Sequence, residues 1–177
     1  MHGLIFAGLR DYSVEALGTE RADELWADRV FSVTEAYEDE WFTAQLDRIA
    51  TATGRSRSSV DREFGVFAAQ TTFAGLYPEY YAKSADVFDF LLGIEEKIHE
   101  LVRATIRGAS PPRLHVQPLG EGVLISYTSH RHLCSLLEGL VHGAAAELGP
   151  EIETEEVQCM LRGDTGCVFT VLASARG

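Results

Sequence analysis

The chain has 177 residues, 46% of them hydrophobic and 24% charged, which fits one globular domain with a sizeable core and argues against disorder. Acidic residues outnumber basic ones 27 to 15, and the formal charge of −12 is spread along the whole length, so no basic face is offered to nucleic acid or to an anionic membrane. No apolar run approaches the roughly 20 residues of a membrane span, and three cysteines are too few for a disulfide scaffold.

In chain order, residues 1–18 read as a helix with Ile5, Leu9 and Tyr12 on one side and Gly18 at its end. Arg10 and Asp11 end the apolar opening Met1–Phe6 too soon for an export signal, so a cytoplasmic location with reduced thiols is expected. Residues 34–53 read as an amphipathic helix, capped by Thr34 and stopped by Gly54. Ser58 or Ser59 caps the next, which carries Val60, Phe64 and Phe67. The aromatic stretch 71–81, broken by Gly75 and Pro78, reads as a loop or short turns. The longest helical signal is 86–107, with Asp86 as its cap and Gly108 and Pro111 beyond its end.

The pattern then changes. Residues 113–118 and 122–129 are short and alternating around Gly120-Glu121-Gly122, which predicts a hairpin. Helical spacing returns over 131–148, followed by strand-like runs at 151–161 and 167–173 with a turn at 163–166. A helical first part followed by four strands and one helix is an α+β order, with the strands forming one antiparallel sheet.

Three places could carry chemistry. His99 lies within the 86–107 helix, on the same side as Phe88, Leu92, Val102 and Ile106. Taken alone, an imidazole in an apolar stripe is most simply a core histidine bonded to a carbonyl. Its functional reading is a single axial ligand to a metal cofactor with apolar faces, and haem fits that description. In Tyr127-Thr128-Ser129-His130-Arg131, the strand period puts Tyr127 and Ser129 on one face, with Arg131 where the strand hands over to a helix. A phenol, a hydroxyl and a guanidinium can converge there on a carboxylate; a solvated strand face is the plainer alternative. Pro111-Pro112 would be a stiff connection or a wall beside a flat ligand.

Cys134, Cys159 and Cys167 supply three thiols where a zinc site normally has four ligands, so separate buried thiols are the simpler reading. Glu155-Glu156 reads as a solvated face, and the adjacent carboxylates of Glu95-Glu96 diverge on a helix. No nucleophile elbow, Walker loop, His-Glu-x-x-His or dinucleotide fingerprint is present.

Taken together, these features resemble the H-NOX family of haem nitric oxide/oxygen binding domains, related to the haem domain of soluble guanylate cyclase. The opening Met1–Phe6, His99, the stretch Gly108–Pro112, the Tyr-x-Ser-x-Arg motif at 127–131 and the run Leu136–Leu140 match in order over nearly the whole chain. The resemblance implies one haem sensor domain over 1–177, with a distal helical part (1–63), a proximal sheet-bearing part (64–177) and haem b buried between them. It implies His99 as axial iron ligand and Tyr127, Ser129 and Arg131 on the haem propionates. Pro112 and Ile5 would press on the porphyrin, and Leu9, Ala69, Phe73, Leu136 and Leu140 would line the distal pocket. The segment from Gly65 to Phe73 is one residue longer than usual in the family.

In oxygen-binding members a donor follows nine residues after the motif's tyrosine; here that position is Leu136. Leu9 and Ala69 are also without donors, so the pocket should take nitric oxide and carbon monoxide and hold no stable oxygen. Tyr12 and Thr72 are the nearest polar residues to that pocket. The resemblance further implies a sensor without enzymatic activity, acting in trans on a histidine kinase or a cyclic-di-GMP enzyme. Some relatives carry an oxidation-sensing thiol cluster near the end, which makes zinc at Cys134, Cys159 and Cys167 an expectation here. A haem-free binding module of the vinyl-reductase type is the rival reading, because its β half and cysteine-bearing end are similar.

Overall fold

The computed structural model describes residues 1–174 apart from 28, 29, 34, 106, 107 and 109. The expected cap Thr34 and the apolar Ile106 lie outside the described residues.

Helix α1 (Gly3–Leu17) begins where the Nδ1 of His2 accepts the Leu4 N–H, and it ends at Gly18, whose positive φ suits glycine. Helix α2 (Thr19–Trp26) follows, in a stretch to which the sequence reading assigned no element. Its signal is short but readable, because Ala22, Leu25 and Trp26 recur at helical spacing and are all buried. Helix α3 (Asp39–Thr53) starts five residues later than expected. Helix α4 (Arg57–Ala68) is capped by Ser56, whose hydroxyl accepts the Ser59 N–H at 3.2 Å, and not by Ser58 or Ser59.

Beyond α4 the chain widens into a π turn over Ala69–Phe73, then forms two short helices, α5 (Ala74–Leu76) and α6 (Pro78–Lys83). Pro78 opens α6, a position where its missing N–H costs nothing. Helix α7 (Val87–Ile94) is capped by the Asp86 side chain as expected. The long helix forecast over 86–107 is interrupted. Glu95–His99 is a second π turn, closed by a bond from the Glu100 N–H to the Glu95 carbonyl, and α8 (Glu100–Thr105) continues from it.

Strands β1 (Arg113–Leu119) and β2 (Gly122–Thr128) form the hairpin, with Gly120 at positive φ in the turn. After α9 (Cys134–Leu148) come β3 (Ile152–Gln158) and β4 (Cys167–Ala173). All pairings are antiparallel, in the order β1-β2-β4-β3.

Two apolar cores result. One gathers Phe6, Leu9, Phe42, Leu46, Ile49, Val60 and Phe64 from α1, α3 and α4, and draws Leu133 in from the C-terminal side. The other packs α7 and α9 on the sheet through Val87, Phe90, Val123, Ile125, Val141 and Val171. They join where α4 crosses α9 without an intervening layer of side chains. A Cβ on Gly139 would lie 2.0 Å from the Arg62 carbonyl oxygen, and one on Gly65 would lie 2.4 Å from that of Leu136. Only glycine permits so close an approach. Among the described residues, no helix is long and apolar enough to cross a membrane.

Candidate functional site

A cavity opens between the two cores. Its walls are apolar: Leu4 and Ile5 from α1, Phe64 and Ala68 from α4, Ala69 and Phe73 from the first π turn, and Leu136, Leu140 and Val141 from α9. Phe90, Leu91, Ile94, Ile98 and Val102 close it from α7, the second π turn and α8. Pro111 and Pro112 border it as well. Of the sequence-derived pocket residues, Ile5, Ala69, Phe73, Pro112, Leu136 and Leu140 do line it. Leu9 does not: it is fully buried inside the N-terminal core. Tyr12 is turned away too, with its hydroxyl 3.0 Å from Glu63, and Thr72 packs at Gly8.

His99 lines the cavity with 13% of its side chain exposed. Its Nδ1–H donates to Glu95 Oε2 at 2.8 Å, which leaves Nε2 as the unengaged nitrogen. Burial lowers its pKa even though Glu95 opposes the shift, so the imidazole is neutral at pH 7 and has a lone pair to offer. Its neighbours differ from those expected. Leu92 is exposed and Leu91 buried, because the π turn inserts one residue between α7 and His99. Positions seven apart then lose their common face and positions eight apart gain it.

At the cavity's rim the motif residues converge. Tyr127 and Ser129 are buried, and the Ser129 hydroxyl accepts the Arg131 N–H at 3.2 Å. The Arg131 side chain is 9% exposed; Nη1 donates to the Ser110 carbonyl at 2.7 Å and Nε lies 2.8 Å from Asp39 Oδ2. Nε is buried without a hydrogen bond among the described residues, so its contact with Asp39 is an ion pair and not an aligned bond.

Asp39 escaped the sequence reading. Its carboxylate also takes His130 Nε2 at 2.8 Å and the Met1 ammonium at 2.7 Å. Burial alone would raise its pKa; its bonds to Arg131, the ammonium and His130 overcome that and hold it below the usual carboxylate range. Two tyrosines were missed as well. Tyr77 and Tyr81 line the cavity; the Tyr81 hydroxyl is committed to the Ala69 carbonyl at 2.9 Å, whereas the Tyr77 phenol, raised further above its ordinary value by burial, is a potential donor.

The three thiols also come together. Cys134 Sγ lies 3.7 Å from Cys159 Sγ, and Cys167 completes the group. Glu156 joins them, correcting the solvated-face reading: one ligand atom from each of the four lies within 4.8 Å of the others. Arg162 holds Glu156 Oε2 at 3.0 Å, while Oε1 is buried without a partner among the described residues. Burial, reinforced by the other sulfurs, raises the Cys134 thiol far above its ordinary value, and burial lifts Cys167 to about 11. Cys134 and Cys167 are therefore neutral unless a cation displaces their protons.

Two imidazoles line the cavity; that of His2 accepts the Leu4 N–H through Nδ1, and that of His99 keeps Nε2 unengaged. With a guanidinium, a hydroxyl and a phenol also in the lining, the donor set fits haem: one axial nitrogen for the iron, and hydrogen-bond donors for two carboxylates. The Haem-NO-binding family profile matches residues 2–156. The chain belongs to that family, the H-NOX proteins. An H-NOX protein from S. oneidensis in the Fe(II)NO state superposes with a TM-score of 0.91 at 26% identity, over 99% of this chain and 100% of that one. An H-NOX domain from Shewanella oneidensis in the Fe(II)CO state gives 0.89 at 26% identity, again over 99% and 100%. An unliganded mutant H-NOX protein from K. algicida, at 20% identity, shares the fold with a TM-score of 0.83 over 99% and 98%. Comparison with curated proteins finds no significant match. H-NOX domains are haem-binding gas-sensor modules, and the α+β architecture expected from the sequence is theirs.

The tie between Asp39 and Arg131 can be measured. Asp39→Asn should lower stability at pH 7 by about 1–2 kcal/mol, a partly exposed charged bond being worth less than a buried one. Asp39 is more acidic folded than unfolded. Its contribution is therefore complete above the ordinary aspartate pKa of about 4 and fades as pH falls through its lower folded value. Urea melts of the two proteins should differ at pH 7 and converge in acid; equal midpoints at pH 7 would show that the tie carries no weight.

Proposed function

We propose that this H-NOX domain is a sensor of nitric oxide that holds haem b through His99 and signals in trans to a partner enzyme, a histidine kinase or a cyclic-di-GMP enzyme, in the cytoplasm. The observation that carries the reading is His99: a neutral imidazole, its Nδ1 committed to Glu95, its other nitrogen left for a largely apolar cavity. When bound, the haem would supply a ferrous iron able to take a diatomic gas. His99 would hold that iron from one side. Arg131, Ser129 and Tyr127 would anchor the propionates, with Asp39 and the Ser110 carbonyl orienting the guanidinium. Leu136, Leu140, Phe73 and Ala69 would keep water from the opposite face, and Pro112 and Ile5 would press on the ring. The family match favours this over a haem-free module of the vinyl-reductase type.

His99→Gly should load haem only when imidazole is supplied, read from the Soret absorption of the purified protein. Normal loading without imidazole would place the ligand elsewhere.

Selectivity follows from the lining. Leu136 and Ala69 offer no donor to a gas ligand, and the Tyr81 hydroxyl is taken. A hydrogen bond to a charged partner is worth about 1.5–3 kcal/mol, roughly one to two decades of affinity, and oxygen needs it where nitric oxide does not. The ferrous protein should bind nitric oxide and carbon monoxide and show no stable oxygen complex in air. A stable oxygen-loaded spectrum that vanished in Tyr77→Phe would make Tyr77 the missing donor and reverse the selectivity.

The thiol cluster supports a second, smaller proposal, that Cys134, Cys159, Cys167 and Glu156 hold zinc. Three sulfurs and one carboxylate oxygen make a tetrahedral donor set, and a cation would satisfy Glu156 Oε1. Metal analysis of freshly reduced protein should return about one zinc per chain, less at low pH as the thiols regain their protons. Zinc-free protein at neutral pH would mean ordinary thiols.

A further inference from the structure

We propose that Glu95 is a positioning residue for the axial histidine: its carboxylate fixes the His99 ring and strengthens the bond from His99 to the iron, setting how completely nitric oxide displaces it. The inference rests on His99 as the ligand. Glu95 and His99 are the first and last residues of the second π turn. Of the adjacent carboxylates, only Glu95 turns inward, while Glu96 stays exposed. Oε2 accepts from His99 Nδ1 at 2.8 Å and from the Leu114 N–H of β1 at 3.3 Å. These two bonds fix the carboxylate against the sheet and the ring against the carboxylate. An anionic acceptor on Nδ1 moves electron density to Nε2 and makes it the stronger donor to a metal.

Arg103 works against this. Its Nη2 donates to Glu95 Oε1 at 2.6 Å and lies 3.5 Å from the Pro112 carbonyl. It draws charge from the oxygens that would otherwise lean on His99, and it links the ligand's acceptor to the proline segment. A surface ion pair between Glu95 and Arg103 alone would need no contact with His99 or with β1. The geometry thus gives two substitutions of opposite sign at one histidine.

The test uses the ferrous haem-loaded protein and its Glu95→Gln and Arg103→Gln variants. The readouts are the iron–histidine stretch by resonance Raman spectroscopy, the midpoint potential, and the coordination number of the nitric oxide complex by absorption and electron paramagnetic resonance. Glu95→Gln should lower the stretch, raise the potential, increase the five-coordinate share and speed haem loss on the order of tenfold. Arg103→Gln should raise the stretch and lower the potential. Shifts of the same sign in both variants would reduce Glu95 to a structural role and overturn the proposal. If Glu95→Gln fails to load haem, Arg103→Gln decides alone: a raised stretch supports the proposal, and an unchanged or lowered one overturns it. A wild-type protein without an iron–histidine stretch overturns this proposal and the ligand assignment together. A stretch that is present but unmoved in both variants overturns this proposal only.

Discussion

The guanidinium of Arg131 is the point on which the geometry of the site depends. Nε leans on Asp39 at the start of α3, Nη1 holds the Ser110 carbonyl beside the prolines, and the backbone N–H is fixed by Ser129. A cation at 9% exposure in such a place is sustained only because an ionised carboxylate and a carbonyl face it. Helix α3 and the N-terminal residues on one side, and β2, α9 and the proline segment on the other, meet through this one planar group.

Much of this was legible in the sequence, for physical reasons. Strands β1 and β2 follow from strict alternation and a glycine turn, and α9 from leucines at helical spacing. His99, Tyr127, Ser129 and Arg131 are chemistry-bearing types at a fixed order, and the cavity brings them to one place. What escaped depends on phase or on distance along the chain. Leu92 shares a face with His99 only on a continuous α helix, and the π turn at Glu95–His99 breaks that phase. Leu9 and Ile5 share a helix face in the sequence, yet only Ile5 reaches the cavity, since neighbouring α3 and α4 side chains enclose Leu9. Asp39 and Arg131 are 92 positions apart, and nothing local marks an aspartate at a helix start as the partner of a distant arginine. Glu156 looked like half of an acidic pair, whereas strand alternation sends it and Glu155 to opposite faces.

Both π turns lie where their helices border the cavity. The first spans Ala69–Phe73, and a π turn is the way a helix absorbs one surplus residue without breaking. The widened turns re-aim the cavity-facing side chains while the flanking helices keep their packing. Ala69 and Phe73 bound the first turn, Glu95 and His99 the second. The chemistry of the site therefore sits on the least regular stretches of otherwise regular helices.

The glycine crossing of α4 and α9 has a mechanical consequence. Packed side-chain layers between helices already transmit strain, and each rotamer in the layer is one further joint that can hop. At Gly65, Gly139 and Gly143 there is no such layer, since backbone meets backbone. Helix α9 carries Leu136 and Leu140 on the cavity wall, and α4 carries Phe64 and Ala68 on the same wall and Val60 in the N-terminal core. The cavity-wall leucines and α4 are therefore separated by backbone contact alone, a stiff joint between the cavity and the N-terminal half of the molecule.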